Sequence, residues 1–311
     1  MTKHLKSALM QKRPKPRPPR GKSSKNIALI NAAYTILQDI QPTTVRSVCY
    51  KLFTQGFIAD MSVKSTQRVS VQLVFARENA LIPWAWLVDD TRKASRASLW
   101  QDPAAIIKAA VQSYRRDYWQ DQPHRVEIWS EKGTVGGVLA GILDDYGVTF
   151  RVMKGFGSAT ALHDVAQLSQ QGNPLTVFYI GDYDPSGMYM SEIDIPTRFT
   201  KYGGVANFTR IALLINQCEN LPSFEAGTKI TDMRYKWFIS QYGHTCWELD
   251  ALDPNDLRDC VKGAIVSMLD IEKWNRAIEI EKVEVESMQD FHQVWQRRTK
   301  LATGGARNHE Q

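Results

Sequence analysis

The chain has 311 residues, 43% of them apolar, which is enough for two ordinary domains with their own cores. Its formal charge of +6 is uneven: residues 1 to 25 hold nine Lys or Arg and no acid, leaving 30 basic against 33 acidic side chains and a net of −3 in the remainder. No stretch approaches the ~20 apolar residues of a membrane span, and the four cysteines and six histidines show no disulfide or zinc spacing, so a cytoplasmic protein without membrane contact is expected.

In chain order, residues 1 to 24 form a basic arm. Lys12-Arg13-Pro14-Lys15-Pro16-Arg17-Pro18-Pro19-Arg20 cannot make a helix interior or a core and is expected to be disordered. Such an arm suits DNA phosphates. Residues 26 to 41 show helical periodicity through Ile27, Ile30, Tyr34, Leu37 and Ile40, and Pro42-Thr43-Thr44 gives a break and an N-cap. A second helix is predicted over 44 to 54 and a third over 65 to 79, the latter carrying Arg68 and Arg77. Trp84 to Asp90 reads as a strand and turn. Three helices and a short β-wing describe a winged-helix (CAP-like) module over 25 to 123, in which the third helix enters the DNA major groove, with Arg68 and Arg77 as DNA-binding residues. The connection from 92 to 123 is expected to be helical.

From 124 to 311 the pattern changes to a parallel α/β one. Strands are predicted at 126 to 130, 148 to 153, 175 to 180 and 209 to 215, with helices at 134 to 146 and 158 to 171. Beyond residue 220, a helix-like stretch over 255 to 289 suggests a C-terminal elaboration. Two positions carry the chemistry. Glu131-Lys132-Gly133 follows the first strand, and Gly181-Asp182-Tyr183-Asp184-Pro185-Ser186-Gly187 follows the apolar run Leu175 to Ile180. Carboxylates beyond the C-terminal ends of parallel strands point into one crevice, where a hard cation such as Mg²⁺ can be held. Glu127 reads as a structural strand residue and Tyr183 as a packing residue.

On a helical wheel of about 100° per residue, Val45, Val48, Cys49, Leu52 and Phe53 form one apolar stripe, and Arg46 and Tyr50 lie together on its flank, one turn apart. A guanidinium beside a phenol can stabilise developing phenolate and grip a phosphate.

A Glu after one strand and Asp-x-Asp after a later one is the acidic constellation of Toprim domains. Glu131-Lys132, Met153-Lys154-Gly155-Phe156-Gly157 and Asp182 to Gly187 together resemble the Toprim half of the topoisomerase VI A subunit and its relative, the meiotic double-strand-break protein. Thr44-Val45-Arg46-Ser47-Val48-Cys49-Tyr50 is similar to that family's tyrosine signature, and the likeness covers residues 25 to 200. The resemblance implies an α/β chain of winged-helix plus Toprim (Rossmann-like) domains in a compact form without an ATPase domain. It implies duplex DNA as substrate, a nucleoid-associated location, and Mg²⁺ on Glu131, Asp182 and Asp184. Tyr50, assisted by Arg46, would attack the phosphodiester to give a reversible 5′-phosphotyrosine link. Lys132 and Lys154 would contact DNA phosphates. A homodimer is implied, with the tyrosine of one copy facing the acids of the other, and so is a separate GHKL-type ATPase subunit for strand passage. Ser47 and Cys49 depart from the acidic and aromatic residues frequent at those positions. The residues also admit a Toprim nuclease that activates water with the same acids, leaving Tyr50 to bind, or a DNA-binding module without catalysis.

Overall fold

A computed structural model of the chain describes residues 23–88, 99–153, 159–227 and 232–305, with side chains to residue 297. The basic arm up to residue 22, and Lys154, Gly155 and Gly157, lie outside the described residues. The chain divides into two compact units, Met1–Asp89 with Asp250–Asn255, and Asp90–Leu249 with Asp256–Gln311. The division falls at Asp89, so residues 99–123 belong to the second unit.

The first unit is helical. Helix α1 (Ser24–Ile40) buries Leu29, Ile30, Ala33, Tyr34, Ile36, Leu37 and Ile40, the face its periodicity foretells. Helix α2 (Val45–Thr54) starts at Thr44, whose hydroxyl accepts from the Ser47 N–H at 3.1 Å, and helix α3 (Val63–Glu78) starts at Ser62. Val48, Cys49 and Leu52 of α2 and Val69, Leu73 and Ala76 of α3 close one core with α1.

The segment after Pro83 is a correction to the expected wing. Trp84–Trp86 form a 3₁₀ turn rather than a strand, and Leu87 makes a single parallel bridge to Thr43. Bonds from Trp86 N–H to the Pro83 carbonyl and from Leu87 N–H to that of Trp84 satisfy the backbone locally, where a strand would need a partner. Trp86 packs on Tyr34 at a centroid distance of 5.3 Å, whereas Trp84 stays 60% exposed under the Arg77 guanidinium, 4.7 Å from its ring.

The second unit is mixed α/β around a four-stranded parallel sheet. Helix α4 (Pro103–Ser113) leads to strand β1 (Arg125–Ser130), helix α5 (Thr134–Tyr146), strand β2 (Thr149–Val152), helix α6 (Ala159–Leu168) and strand β3 (Leu175–Ile180). Helix α7 (Pro185–Tyr189), a π turn over Met190–Asp194 and helix α8 (Ile195–Lys201) then lead to strand β4 (Ala206–Ala212). The strand order is β2-β1-β3-β4. The two central strands are buried along almost their full length, as continuous apolar runs in a doubly covered parallel sheet require. Trp129 and Tyr179 pack with Leu162, Phe199 and Met190 on one face. Glu127, buried in β1, accepts from Trp129 Nε1 at 2.8 Å and Arg151 Nε at 2.6 Å, a structural ion pair.

Among the elements not foreseen are helix α8, strand β5 (Ser223–Glu225), helix α9 (Met233–Tyr242) and strand β6 (Thr245–Trp247), β5 and β6 pairing antiparallel. The single helical stretch expected over 255 to 289 is two helices, α10 (Pro254–Ser267) and α11 (Ile271–Gly305). Asp270 separates them, its carboxylate accepting from the N–H groups of Glu272 and Lys273 at 3.1 and 3.2 Å.

Candidate functional site

The sheet register brings the acids together. Ser130 of β1 is paired with Ile180 of β3, so Glu131 and the Gly181–Asp184 segment leave adjacent strands at the same, C-terminal end of the sheet. Neighbouring strands lie about 4.8 Å apart, which puts the two exits within side-chain reach. The loop after β3 continues the sheet for one more residue: Gly181 N–H donates to the Ala212 carbonyl and Leu213 N–H to that of Gly181, both at 2.9 Å. Tyr183 then exchanges backbone bonds of 2.9 and 3.0 Å with Trp247 of β6. Its buried ring packs among Phe238, Tyr242 and Trp247.

Asp182 and Asp184 are differently engaged. Asp182 Oδ1 accepts from Lys132 Nζ and from the Leu249 N–H, each at 2.7 Å. Asp184 caps α7, its Oδ1 accepting from the Gly187 N–H at 2.7 Å, and Pro185 opens the helix. Gly187 has a steric reason: a Cβ there would collide with the Asp182 carbonyl oxygen.

The charges report the crowding. Burial first, then Asp182 and Asp184, push the Glu131 carboxyl up to about 7, against the pull of Lys132 and Arg210. Burial also raises Asp184, opposed by its bond to Gly187. A carboxylate out of water beside two others holds its proton more tightly because the ionised form is doubly penalised.

Arg210, from the middle of β4, is the residue the sequence reading missed. Its Nη2 donates to the carbonyls of Gly181 and Asp182 at 2.7 and 2.5 Å, its Nη1 to Ser191 Oγ at 2.8 Å and the Gly187 carbonyl at 3.2 Å, and its Nε to the Leu213 carbonyl at 3.0 Å. One guanidinium thus clamps the whole acid-bearing loop. Burial lowers its pKa, and Tyr179, Glu192, Asp182 and Glu131 oppose that. An Arg in line with Ala206 and Phe208 in the alternation of the strand was the available signal. Arg234, at the start of α9, is forked onto Asp232 and feels the charge of Asp184 as well.

The residues expected to bind DNA have partners of their own within each unit. Lys132 is at the acids. Arg68 of α3 donates to Asn26 Oδ1 at 2.9 Å, and Arg77 covers Trp84. In the helical unit, Arg46 is exposed with its guanidinium carbon 5.9 Å from the Tyr50 ring centroid, while Tyr50 is only 5% exposed.

Among the described residues, no three His, Cys, Asp or Glu side chains converge into a metal cage. Mg²⁺ does not need one: it keeps several waters and takes one or two carboxylates plus substrate phosphates. The oxygen-only donor set of Glu131, Asp182 and Asp184, crowded enough to raise Glu131, suits such a hydrated hard cation. Comparison with protein-family models, curated proteins and solved structures returns no match for this chain. No described helix is long and apolar enough to cross a membrane.

Proposed function

We propose that this chain is a DNA-cleaving enzyme of the topoisomerase VI A-subunit type, its parallel-sheet unit Toprim-like and its three-helix unit a winged-helix-like DNA-binding module. The observation that carries the reading is that Glu131 and the Asp182–Asp184 loop leave two adjacent parallel strands at the same C-terminal end, with Glu131 driven up to about 7 by burial and by the charges of the two Asp residues. In this proposal Glu131 and Asp182 would hold the cation, and Asp184 both shapes the loop and adds charge. Mg²⁺, when bound, supplies neutralisation of the scissile phosphate and of the departing 3′ oxygen. Arg210 fixes the loop so that the acids need no rearrangement when substrate arrives. Tyr50 supplies the nucleophilic oxygen and Arg46 steadies the developing phenolate, its charge lying over the ring side of the phenol. The protein acts as a homodimer on duplex DNA in the nucleoid, and strand passage requires a separate GHKL-type ATPase.

The burial of Tyr50 favours one second reading, in which the same acids activate water and Tyr50 only binds. Plasmid cleavage analysed on denaturing gels separates the two. With Mg²⁺, wild-type protein covalently attached to 5′ ends that is lost in Tyr50→Phe supports transesterification. Full cleavage by Tyr50→Phe, leaving free ends, establishes the hydrolytic reading instead. Intact DNA binding with no cleavage by wild type removes both and leaves a binding module.

A further inference from the structure

The acids already have a cation of their own. Lys132 is the residue after Glu131, and its backbone is pinned at the entrance to α5: its N–H donates to Ser130 Oγ at 3.1 Å and its carbonyl accepts from the Val135 N–H at 3.3 Å. From that anchor the side chain turns onto Asp182 Oδ1 at 2.7 Å, where the two side chains are 20% and 13% exposed. The same oxygen takes the Leu249 N–H, so it has little left to offer a further ligand. The ammonium serves the other acids too, lowering the proton affinity of both Glu131 and Asp184. Lys132 therefore sits on Asp182 as a cation would and acts by its charge on the other two carboxylates.

We infer that Lys132 competes with the divalent cation for Asp182, so that metal binds only as the ammonium is expelled. This rests on the proposed metal role of Glu131 and Asp182 and adds to it a control on metal affinity. An ammonium is a compact point charge on a flexible stem, which can leave one oxygen for another at small cost. The site would thus keep its acids neutralised without metal and give up part of the metal's binding energy to displace its own lysine. Asp182 would be the shared ligand.

The test uses the full chain and Mn²⁺ as probe, with free Mn²⁺ followed by electron paramagnetic resonance in wild type and Lys132→Met. Circular dichroism and thermal melting establish that the variant folds. Competition predicts that Lys132→Met binds Mn²⁺ about tenfold more tightly, a difference of ~1.4 kcal/mol. A general loss of positive charge could mimic this, so Lys132 is also labelled in wild type with an amine-acylating reagent, its modification read by mass spectrometry. Labelling should rise several-fold as Mn²⁺ saturates, because the ammonium is freed from Asp182. If Lys132→Met binds no tighter, or labelling is unchanged at saturating Mn²⁺, Lys132 is not a competitor, while the metal site stands. If neither protein binds Mn²⁺, the metal reading and this inference fall together.

Discussion

Arg210→Met is the most direct probe of how the acid-bearing loop is held. Methionine fills a similar volume but donates nothing, so the carbonyls of Gly181, Asp182, Gly187 and Leu213 and the Ser191 hydroxyl all lose the guanidinium at once. A hydrogen bond from a charged donor contributes about 1.5–3 kcal/mol net, and an orphaned buried acceptor costs about 1–3 kcal/mol. Bonds made by one group are not additive, and the desolvation cost of Arg210 itself is recovered when it is removed. The expected loss is therefore about 3–5 kcal/mol, well short of the sum. Arg210→Lys keeps the charge but replaces a planar fork with one ammonium, which can serve only part of the set, and should lose about 1–3 kcal/mol. The assay is urea unfolding followed by tryptophan fluorescence without divalent ions. Wild type, Lys and Met variants should rank in that order of midpoint with similar denaturant slopes. A Met variant within about 1 kcal/mol of wild type would mean that the loop holds itself and that Arg210 is not its clamp.

Other outcomes follow from the same geometry. The folded pKa of Glu131 stands above its ordinary 4.5, at about 7, so the native state holds the extra proton between those values and stability falls as pH rises through them. Glu131→Gln should flatten that decline in metal-free protein, and equal urea midpoints for both proteins at pH 5 and at pH 8 would contradict it. Gly187→Ala should destabilise by ~2 kcal/mol or more in thermal melting, since its methyl meets the Asp182 carbonyl, and a neutral effect would show that the loop can yield. Cys49, buried and pushed up to about 11, should react with iodoacetamide at pH 8 roughly a hundredfold more slowly than a free thiol until urea is added. Rapid native labelling would show that α2 opens. If active sites are composite, mixed Tyr50→Phe and Glu131→Gln proteins should nick one DNA strand, whereas demonstrated heterodimers without nicking would refute sharing.

The parts of the chain read correctly are those whose signal is local. Residues 134–146 and 175–180 form helix and strand at the bounds their patterns give, because a continuous apolar run after turn residues in an alternating α/β chain has one consistent placement. The acids were legible for the same reason: they follow directly on such strands, and the register sets them side by side. The three-residue strands β5 and β6 carry too little pattern to announce themselves, and their pairing joins Ser223 to Trp247 and Glu225 to Thr245 across an intervening helix. The 3₁₀ turn at Trp84–Trp86 shows the limit of propensity, since two aromatic residues favour a strand only where a neighbouring strand accepts their backbone bonds.

The setting of α2 and the role of Arg210 depend on partners remote in sequence. A wheel drawn from residues 45–54 puts Tyr50 on the flank of the apolar stripe and says nothing of what covers it. In the folded first unit, Asp250–Asn255 return to α2, where Thr44 Oγ1 donates to Asp250 Oδ1 at 2.8 Å and Lys51 Nζ meets Asp253 Oδ2 at 2.6 Å. Those two anchors lie on either side of Tyr50 along the helix, about 200 residues distant in the chain, and no periodicity within α2 encodes them. Arg210 likewise has backbone carbonyls for nearly all its partners, and a carbonyl leaves no mark on the sequence. A charged residue whose acceptors are main-chain atoms is invisible to any reading based on complementary side chains. It follows that motifs locate the atoms that do chemistry, while the groups that fix their geometry must be sought among polar residues at positions the pattern reserves for apolar ones. Arg210, in line with Ala206 and Phe208 in β4, meets this description beside the acids.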